Sequence, residues 1–213
     1  LSQEKIFTLR ALGAEVVLTR CDVGKGHPEY YQDLGAAIAE REGAYFINQF
    51  ANPDNPKAHE RTTAPEIWEQ MEQKVDAVVI GVGSSGTIAG LAAFFKKHAP
   101  HVELVLADPQ GSILAEYIAT GKMTQKGSWL VEGIGEDFIP TICDFSLTKR
   151  AYSIPDAESF HTCRELLKKE GIIAGTSTGT LLAAALRYCR GQKTAKRVVT
   201  LVCDSGNKYL SKV

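Results

Sequence analysis

The 213-residue sequence lacks several features that would place a protein in a functional class at once. Its five cysteines are scattered without a Cys-x-x-Cys pair, which argues against a disulfide framework and a zinc site. No charge dominates, because 24 Lys and Arg oppose 25 Asp and Glu, so no long-range field attracts nucleic acid or an anionic membrane. No apolar run approaches the ~20 residues that span a bilayer. We expect a soluble, cytoplasmic protein whose partners are small molecules.

Metal-binding patterns are missing as well. No two histidines stand at i, i+4 with a carboxylate between them, and none has cysteine companions at ligand spacing. We therefore predict no metal site and assign surface or capping roles to all five histidines, which are His27, His59, His98, His101 and His161. The chain starts with Leu1 and not with Met. It is expected to be a piece of a longer protein.

Apolar runs alternate with amphipathic segments along the chain. The pattern predicts helices over residues 2–12, 29–41, 62–73, 87–97, 157–170 and 178–190. It predicts strands over residues 15–19, 45–49, 77–80, 103–107, 172–174 and 197–202. Such alternation indicates an α/β fold with helices on both faces of a mostly parallel sheet. A Pro- and Asn-rich segment, residues 52–56, is the candidate domain junction, and the irregular stretch 110–152 is typical of a functional loop.

A glycine motif, Gly81-x-Gly83-x-x-Gly86, lies between a predicted strand and a predicted helix. The spacing matches a dinucleotide fingerprint, and Asp108 follows the next apolar run, where such a site places its ribose-binding acid. An NAD(P)-binding oxidoreductase is therefore one hypothesis. A purely structural turn is another, since glycines also let a helix approach a strand closely.

Hydroxyl groups in the same loop favour a third hypothesis. Ser84, Ser85 and Thr87 interleave the glycines. Loop N–H groups, these hydroxyls and the positive end of the following helix would together suit a terminal phosphate, whose oxygens need several donors at once.

A second glycine and hydroxyl cluster, AGTSTGT, occupies residues 174–180 at another predicted strand-to-helix junction. The dinucleotide hypothesis does not explain it. Two such loops could hold opposite ends of one cofactor, and the Ser177 hydroxyl could face a ring nitrogen without imposing a fixed charge. The alternative is a simple N-cap for the helix predicted from residue 178.

Six motifs occur in a set order: INQFANPDNPKAHERTTAPEI, VGSSGTIAG, DPQGSILAE, VEGIGEDFIP, GTSTGT and VCDSGNKYLSK. In this order they resemble the β-family, or fold type II, of pyridoxal-phosphate enzymes, a tryptophan synthase β-like fold. Within that family they are most similar to the cystathionine β-synthases, with the cysteine synthases as near relatives. The resemblance implies pyridoxal 5'-phosphate as cofactor, amino acids as substrates and a homodimer.

The resemblance also assigns a role to the glycine motif. The family's phosphate loop, written GTGGT, matches Gly83, Ser84, Ser85, Gly86 and Thr87, which are thereby implied to bind the cofactor. The two serines depart from the family pattern. They keep hydroxyl chemistry but add a β-carbon at a position often held by glycine, so we expect the loop backbone there to avoid positive φ.

Further roles follow from the resemblance. Ser177 matches the serine that faces the pyridine nitrogen, where a neutral hydroxyl suits elimination at the β-carbon. Gln49 matches the glutamine near the substrate carboxylate. Glu132 stands where cysteine synthases carry glutamine and so favours a cystathionine β-synthase. Gly133 and Gly135 would let their loop approach the bound amino acid closely.

The family's Schiff-base lysine matches no lysine of this chain and is expected upstream of Leu1, so the fold is expected to be incomplete and the chain alone catalytically inert. Residues 1–50 correspond to the latter half of the small mobile domain, and residues 51–213 to the large cofactor-binding domain. The implied reaction of the parent enzyme converts L-serine and L-homocysteine to L-cystathionine and water. Cysteine synthesis from O-acetylserine and sulfide is the alternative.

Overall fold

The computed structural model describes residues 1–20 and 22–212, so Cys21 and Val213 lie outside the described residues. The helices are α1 (Gln3–Ala11), α2 (Tyr31–Glu42), α3 (Asp54–Arg61), α4 (Thr63–Gln70), α5 (Gly86–His98), α6 (Leu114–Thr120), α7 (Asp156–Glu170) and α8 (Thr176–Arg190), followed by a 3-10 helix (Gly206–Lys212). The strands are β1 (Ala77–Ile80), β2 (Glu103–Pro109), β3 (Thr148–Ile154) and β4 (Val198–Thr200).

The four strands form one parallel sheet in the order β3-β2-β1-β4. Ala77 of β1 lies opposite Glu103 of β2 on one side and Val198 of β4 on the other. All four residues of β1 are buried, because a parallel strand in the middle of the sheet is covered on both faces. The predicted α/β fold with a mostly parallel sheet is confirmed.

The helices cover the sheet and each other. Helix α8 contacts all four strands and packs along α7, whereas α5 packs against α3 and α4. Residues of β1, β2, α5 and α8 share one apolar core, in which Val78, Leu106, Ile88 and Leu181 are fully buried. Among the described residues, no helix has both the length and the apolar composition to cross a membrane.

Three of the predicted strands do not form. Residues 15–19 and 45–49 have no strand assignment, and in the 172–174 segment only Ala174 makes an isolated bridge, to Ser205. A strand needs a neighbour to satisfy its backbone N–H and C=O groups, and the described residues provide none for these segments. The apolar pattern of these segments is therefore not sufficient to form a strand.

Three elements were missed in the regions predicted to be irregular. Helix α3 begins directly after Pro53 in the predicted junction, which is compatible with proline because the first helical N–H groups need no intrahelical partner. Helix α6 and strand β3 lie within the 110–152 stretch or extend from it. Strand β3 has burial only at its two ends, so its apolar signal is weak.

The strand order creates a crevice. From β1 the chain proceeds to β2 and β3 on one side, whereas β4 joins β1 from the other side. At such a reversal the connections leaving the carboxyl ends of the two neighbouring strands diverge, and this is where open α/β sheets bind ligands. The loops after β1 and β4 therefore mark the first place to look for a site.

Candidate active site

A cavity of about 460 Å³ opens at the carboxyl ends of β1 and β4. It brings together eight of the ten residues predicted to form the site: Gly83, Ser84, Ser85, Gly86, Thr87, Glu132, Gly133 and Ser177. Gly135 and Gln49 are not among its lining residues. Residues 201–204, which follow β4, form another part of the wall.

Helix α5 points its N-terminus at this cavity. Its first turn contains no acidic residue, and its last turn contains Lys96, Lys97 and His98. The first N–H groups of a helix have no intrahelical acceptor, and the helix dipole adds partial positive charge there. The loop before α5 therefore presents a neutral, donor-rich surface suited to an anion.

Ser85 lies where the chain turns from this loop into α5, and its backbone conformation differs from the one expected. Its φ is 69°, a left-handed conformation, whereas we expected the loop backbone to avoid positive φ here. The hydroxyl oxygen is buried and has no hydrogen-bond partner among the described residues. A left-handed non-glycine residue costs about 1–2 kcal/mol, so the tight turn into α5 outweighs the local preference of serine.

The GIG loop, residues 133–135, packs directly on the glycine loop. A β-carbon on Gly83 would lie 2.6 Å from the carbonyl oxygen of Gly133, so only glycine permits this approach. The Gly135 N–H donates to the Val82 carbonyl over 2.8 Å. Gly133 and Gly135 have φ of 90° and 91°. Gly133 thus lines the cavity, whereas Gly135 joins the two loops behind it.

His59 belongs to the site, although the sequence suggested only a surface or capping role. Its Nε2 lies 3.3 Å from Thr87 Oγ1, and its Nδ1 lies 2.9 Å from Thr63 Oγ1. Burial lowers the pKa of the imidazole below its usual value, which favours the neutral ring. Its only sequence signal is the i, i+4 spacing of His59 and Thr63 in KAHERTT.

Ser177 occupies the second position of α8 and is 4% exposed. The N-cap of α8 is Gly175, so the alternative in which Ser177 merely caps this helix is wrong. Helix α8 begins two residues earlier than predicted, because Thr176 and Ser177 are already helical. The next residue, Thr178, accepts a hydrogen bond from the Cys203 N–H over 3.1 Å, which fixes α8 to the segment after β4.

Glu132 lies in an ionic network on the cavity wall. Lys5 Nζ donates to Glu132 Oε2 over 3.1 Å and to Tyr209 OH over 2.7 Å, and Lys212 also pairs with Glu132. Tyr209 OH donates to Asp204 Oδ2 over 2.7 Å. Burial opposes ionisation of Glu132, but hydrogen bonds from the two lysines outweigh it and lower its pKa to about 2. Asp204 and Tyr209 lie in the motif VCDSGNKYLSK, but the sequence assigned neither of them a role, and Lys5 belongs to no motif.

Asp108 is not available to a ribose. Its side chain is fully buried, and its Oδ2 accepts the N–H of Ala115 in α6 over 2.8 Å. Burial raises the pKa of this carboxyl to about 6. The dinucleotide hypothesis therefore loses the acid on which its spacing argument depended.

Comparison with known proteins agrees with this geometry. Residues 1–204 match the family model described as pyridoxal-phosphate dependent enzyme. The chain belongs to this family. Because the match covers the glycine loop and Ser177 alike, the two clusters are parts of a single cofactor-dependent fold.

Three relatives illustrate the range of the family. Cystathionine beta-synthase of Apis mellifera is 37% identical over 213 residues, which are 100% of this chain and 42% of that protein. Cysteine synthase A of Escherichia coli K12 is 36% identical over 99% of this chain and 66% of that protein. The crystal structure of O-acetylserine dependent cystathionine beta-synthase from Helicobacter pylori is 35% identical, with a TM-score of 0.88 over 100% of this chain and 66% of that chain. The chain thus spans less than two thirds of these relatives.

The cavity fits pyridoxal phosphate. A phosphate group needs several donors, and the loop before α5 offers backbone N–H groups beside Ser84 and Thr87. A pyridine nitrogen needs one hydrogen-bonding group, and Ser177 lines the same cavity. The glycines at positions 83 and 86 keep side chains out of the loop, since a β-carbon at either would collide with a neighbour.

Proposed function

We propose that the protein containing this chain is a pyridoxal-phosphate-dependent lyase that replaces the β-hydroxyl of L-serine with the sulfur of L-homocysteine. The products are L-cystathionine and water, a reaction of transsulfuration and cysteine biosynthesis. One observation carries the proposal: a glycine and hydroxyl loop at the start of α5 and the buried Ser177 of α8 line a single cavity. Cysteine synthesis from O-acetylserine and sulfide is the alternative.

When bound, the cofactor supplies an electron-withdrawing ring that stabilises negative charge at the substrate α-carbon. The residues of this chain hold and tune it. Ser177 is neutral, so its hydroxyl can hydrogen-bond the ring nitrogen without adding a negative charge that would favour protonation of that nitrogen. The neutral His59 supports Thr87 at the phosphate loop without placing a second charge there. The family's catalytic lysine matches none of the chain's own lysines.

The identity of the second substrate depends on Glu132. Overall identity does not discriminate, because the relatives named cystathionine beta-synthase and cysteine synthase A are 37% and 36% identical. The Lys5–Glu132 pair puts charges of both signs on the cavity wall. Homocysteine has an ammonium and a carboxylate that can meet such a pair, whereas sulfide has neither group. This difference supports homocysteine.

The test compares specificity constants in the full-length protein. We expect Glu132→Gln to change the ratio of kcat/KM for homocysteine to that for sulfide by more than about threefold, or ~0.65 kcal/mol. Glu66→Gln is the matched control, because Glu66 lies on α4 and hydrogen-bonds Gln70 instead of lining the cavity. An unchanged ratio would remove Glu132 from the selectivity argument. Failure of the parent to bind pyridoxal phosphate would overturn the whole proposal.

A further inference from the structure

Asn55, in the first turn of α3, joins two segments of the site. Its Nδ2 donates to the carbonyl oxygen of Gln49 over 2.8 Å and to Ser84 Oγ over 3.0 Å. A backbone carbonyl can only accept, so the nitrogen of this amide must face Gln49. One NH2 group thus bonds both the segment that precedes α3 and the glycine loop that precedes α5.

Gly86 leaves the space that the Asn55 side chain fills. A β-carbon on Gly86 would lie 1.8 Å from Asn55 Oδ1 and 2.4 Å from its Cγ. One turn later, a β-carbon on Gly90 would lie 2.5 Å from the Pro56 carbonyl oxygen. Two glycines at i, i+4 spacing therefore let α3 lie against the start of α5.

Helix α3 contacts the loop at two points. Asn55 and His59 are also separated by four residues, so they share one face of α3. Asn55 reaches Ser84, and His59 reaches Thr87, at 3.0 and 3.3 Å. Two of the three hydroxyls that the glycine loop brings to the cavity, those of Ser84 and Thr87, are thus held from the same helix.

The direction of the Asn55 bond matters for Ser84. Since the Ser84 oxygen accepts a hydrogen bond from Asn55 Nδ2, the hydroxyl's own hydrogen points elsewhere and is free to be donated. Ser84 lines the cavity. A donor fixed in this way costs less side-chain entropy when it binds an anion.

We propose that Asn55 is a positioning residue that couples the phosphate loop to the segment of Gln49, so that one amide sets both cofactor affinity and the placement of that segment. The inference rests on the proposed function, because the anion is the phosphate of pyridoxal phosphate. It adds a residue whose amide contacts the cofactor loop and not the reacting atoms.

The experiment uses Asn55→Ala, Ser84→Ala and the double variant in the full-length protein. We expect each single change to raise the Kd for pyridoxal phosphate at least tenfold in a fluorescence titration. We expect the Kd of the double variant to be no more than about threefold higher than that of the single variant that binds the cofactor less tightly. The reason is that the two residues act as one unit. The phosphorus-31 resonance of the bound cofactor should shift in Asn55→Ala, and the KM for the amino-acid substrate should rise.

Asn52→Ala is the matched control. Asn52 lies just before α3, and among the described residues its side-chain amide bonds Ile47 and Asp54 but does not contact Ser84. We expect its Kd to stay within about twofold of the parent. The coupling would be overturned if the Kd of Asn55→Ala stayed within threefold of the parent value. It would also be overturned if the effects of the two single variants on Kd were fully additive, or if Asn52→Ala raised the Kd as much as Asn55→Ala. If the parent itself does not bind pyridoxal phosphate, the proposed function fails instead.

Discussion

Residues 1–50 and residues 54–212 carry the same kind of apolar pattern but bury it very differently. In the first region Leu12, Tyr45 and Ile47 are 79%, 80% and 65% exposed. In the second region the apolar residues of β1 and β2 form the core. The difference teaches that an apolar run becomes a strand only where the fold provides a neighbour for its backbone.

The comparison extends to helices. Helix α2 has no buried residue, whereas α8 has ten. Helices satisfy most of their backbone groups internally and therefore form in both regions, whereas the strands that the structure describes all lie in the second. The division of the chain at about residue 50 into two domains stays a prediction.

The largest expected effect on the free energy of unfolding comes from replacing a buried leucine, with an exposed leucine as the comparison. Leu106 of β2 is fully buried and Leu12 is 79% exposed. We expect Leu106→Ala to lower the free energy of unfolding by about 3–4 kcal/mol, since it leaves a cavity in the core. Leu12→Ala should change it by less than ~0.5 kcal/mol in urea unfolding. A comparable loss at Leu12 would mean that this face is covered in the folded protein and would break the comparison.

The contributions of two aspartates to the free energy of unfolding should change with pH in opposite directions. Burial raises the pKa of Asp108 to about 6 from 3.8, so the folded state takes up this proton first as the pH falls. Its contribution to the free energy of unfolding therefore increases from pH 6 to pH 4, by at most about 3 kcal/mol. Asp108→Asn should remove this dependence of the free energy of unfolding on pH. Urea unfolding of both proteins at pH 4.5, 5.5 and 7 would measure it.

The control lies in the first region. A hydrogen bond from Arg20 lowers the pKa of the exposed Asp22 to about 2. Its stabilising contribution is present above its ordinary pKa and is lost as the pH falls toward 2. Asp22→Asn should leave the slope between pH 4.5 and 7 unchanged. An Asp108→Asn variant with the parental slope would show that the buried carboxyl stays ionised.

The smallest effect compares two glycines. A β-carbon on Gly83 would approach the Gly133 carbonyl to 2.6 Å, whereas one on Gly24 would meet nothing within 4 Å. We expect Gly83→Ala to cost about 1–3 kcal/mol of stability, and Gly24→Ala to be neutral or slightly stabilising. Thermal unfolding would measure both. Equal midpoints would mean that the GIG loop can retreat from the glycine loop.

Much of the site was predictable because its groups lie at strand-to-helix junctions that the sequence marks with glycine. The loop before α5 and Ser177 were found in this way, and they line one cavity. The wall formed by Lys5, Tyr209 and Asp204 was predictable only in part. Tyr209 and Asp204 lie in the motif VCDSGNKYLSK, but no pattern in the sequence places the distant Lys5 beside them. His59 was missed because its partners, Thr63 and Thr87, are not metal ligands.

The sequence alone determined the parallel α/β core, because buried strands and amphipathic helices differ in apolar period. Its glycines also marked the places where two backbones approach each other closely, because only glycine fits there. The tertiary structure decided which apolar runs pair and which remain single, since pairing depends on neighbours distant in the chain. It also decided that Asp108 is buried and bonded to Ala115, and that Asn55 joins Gln49 to Ser84, because contacts between separate elements leave no local pattern.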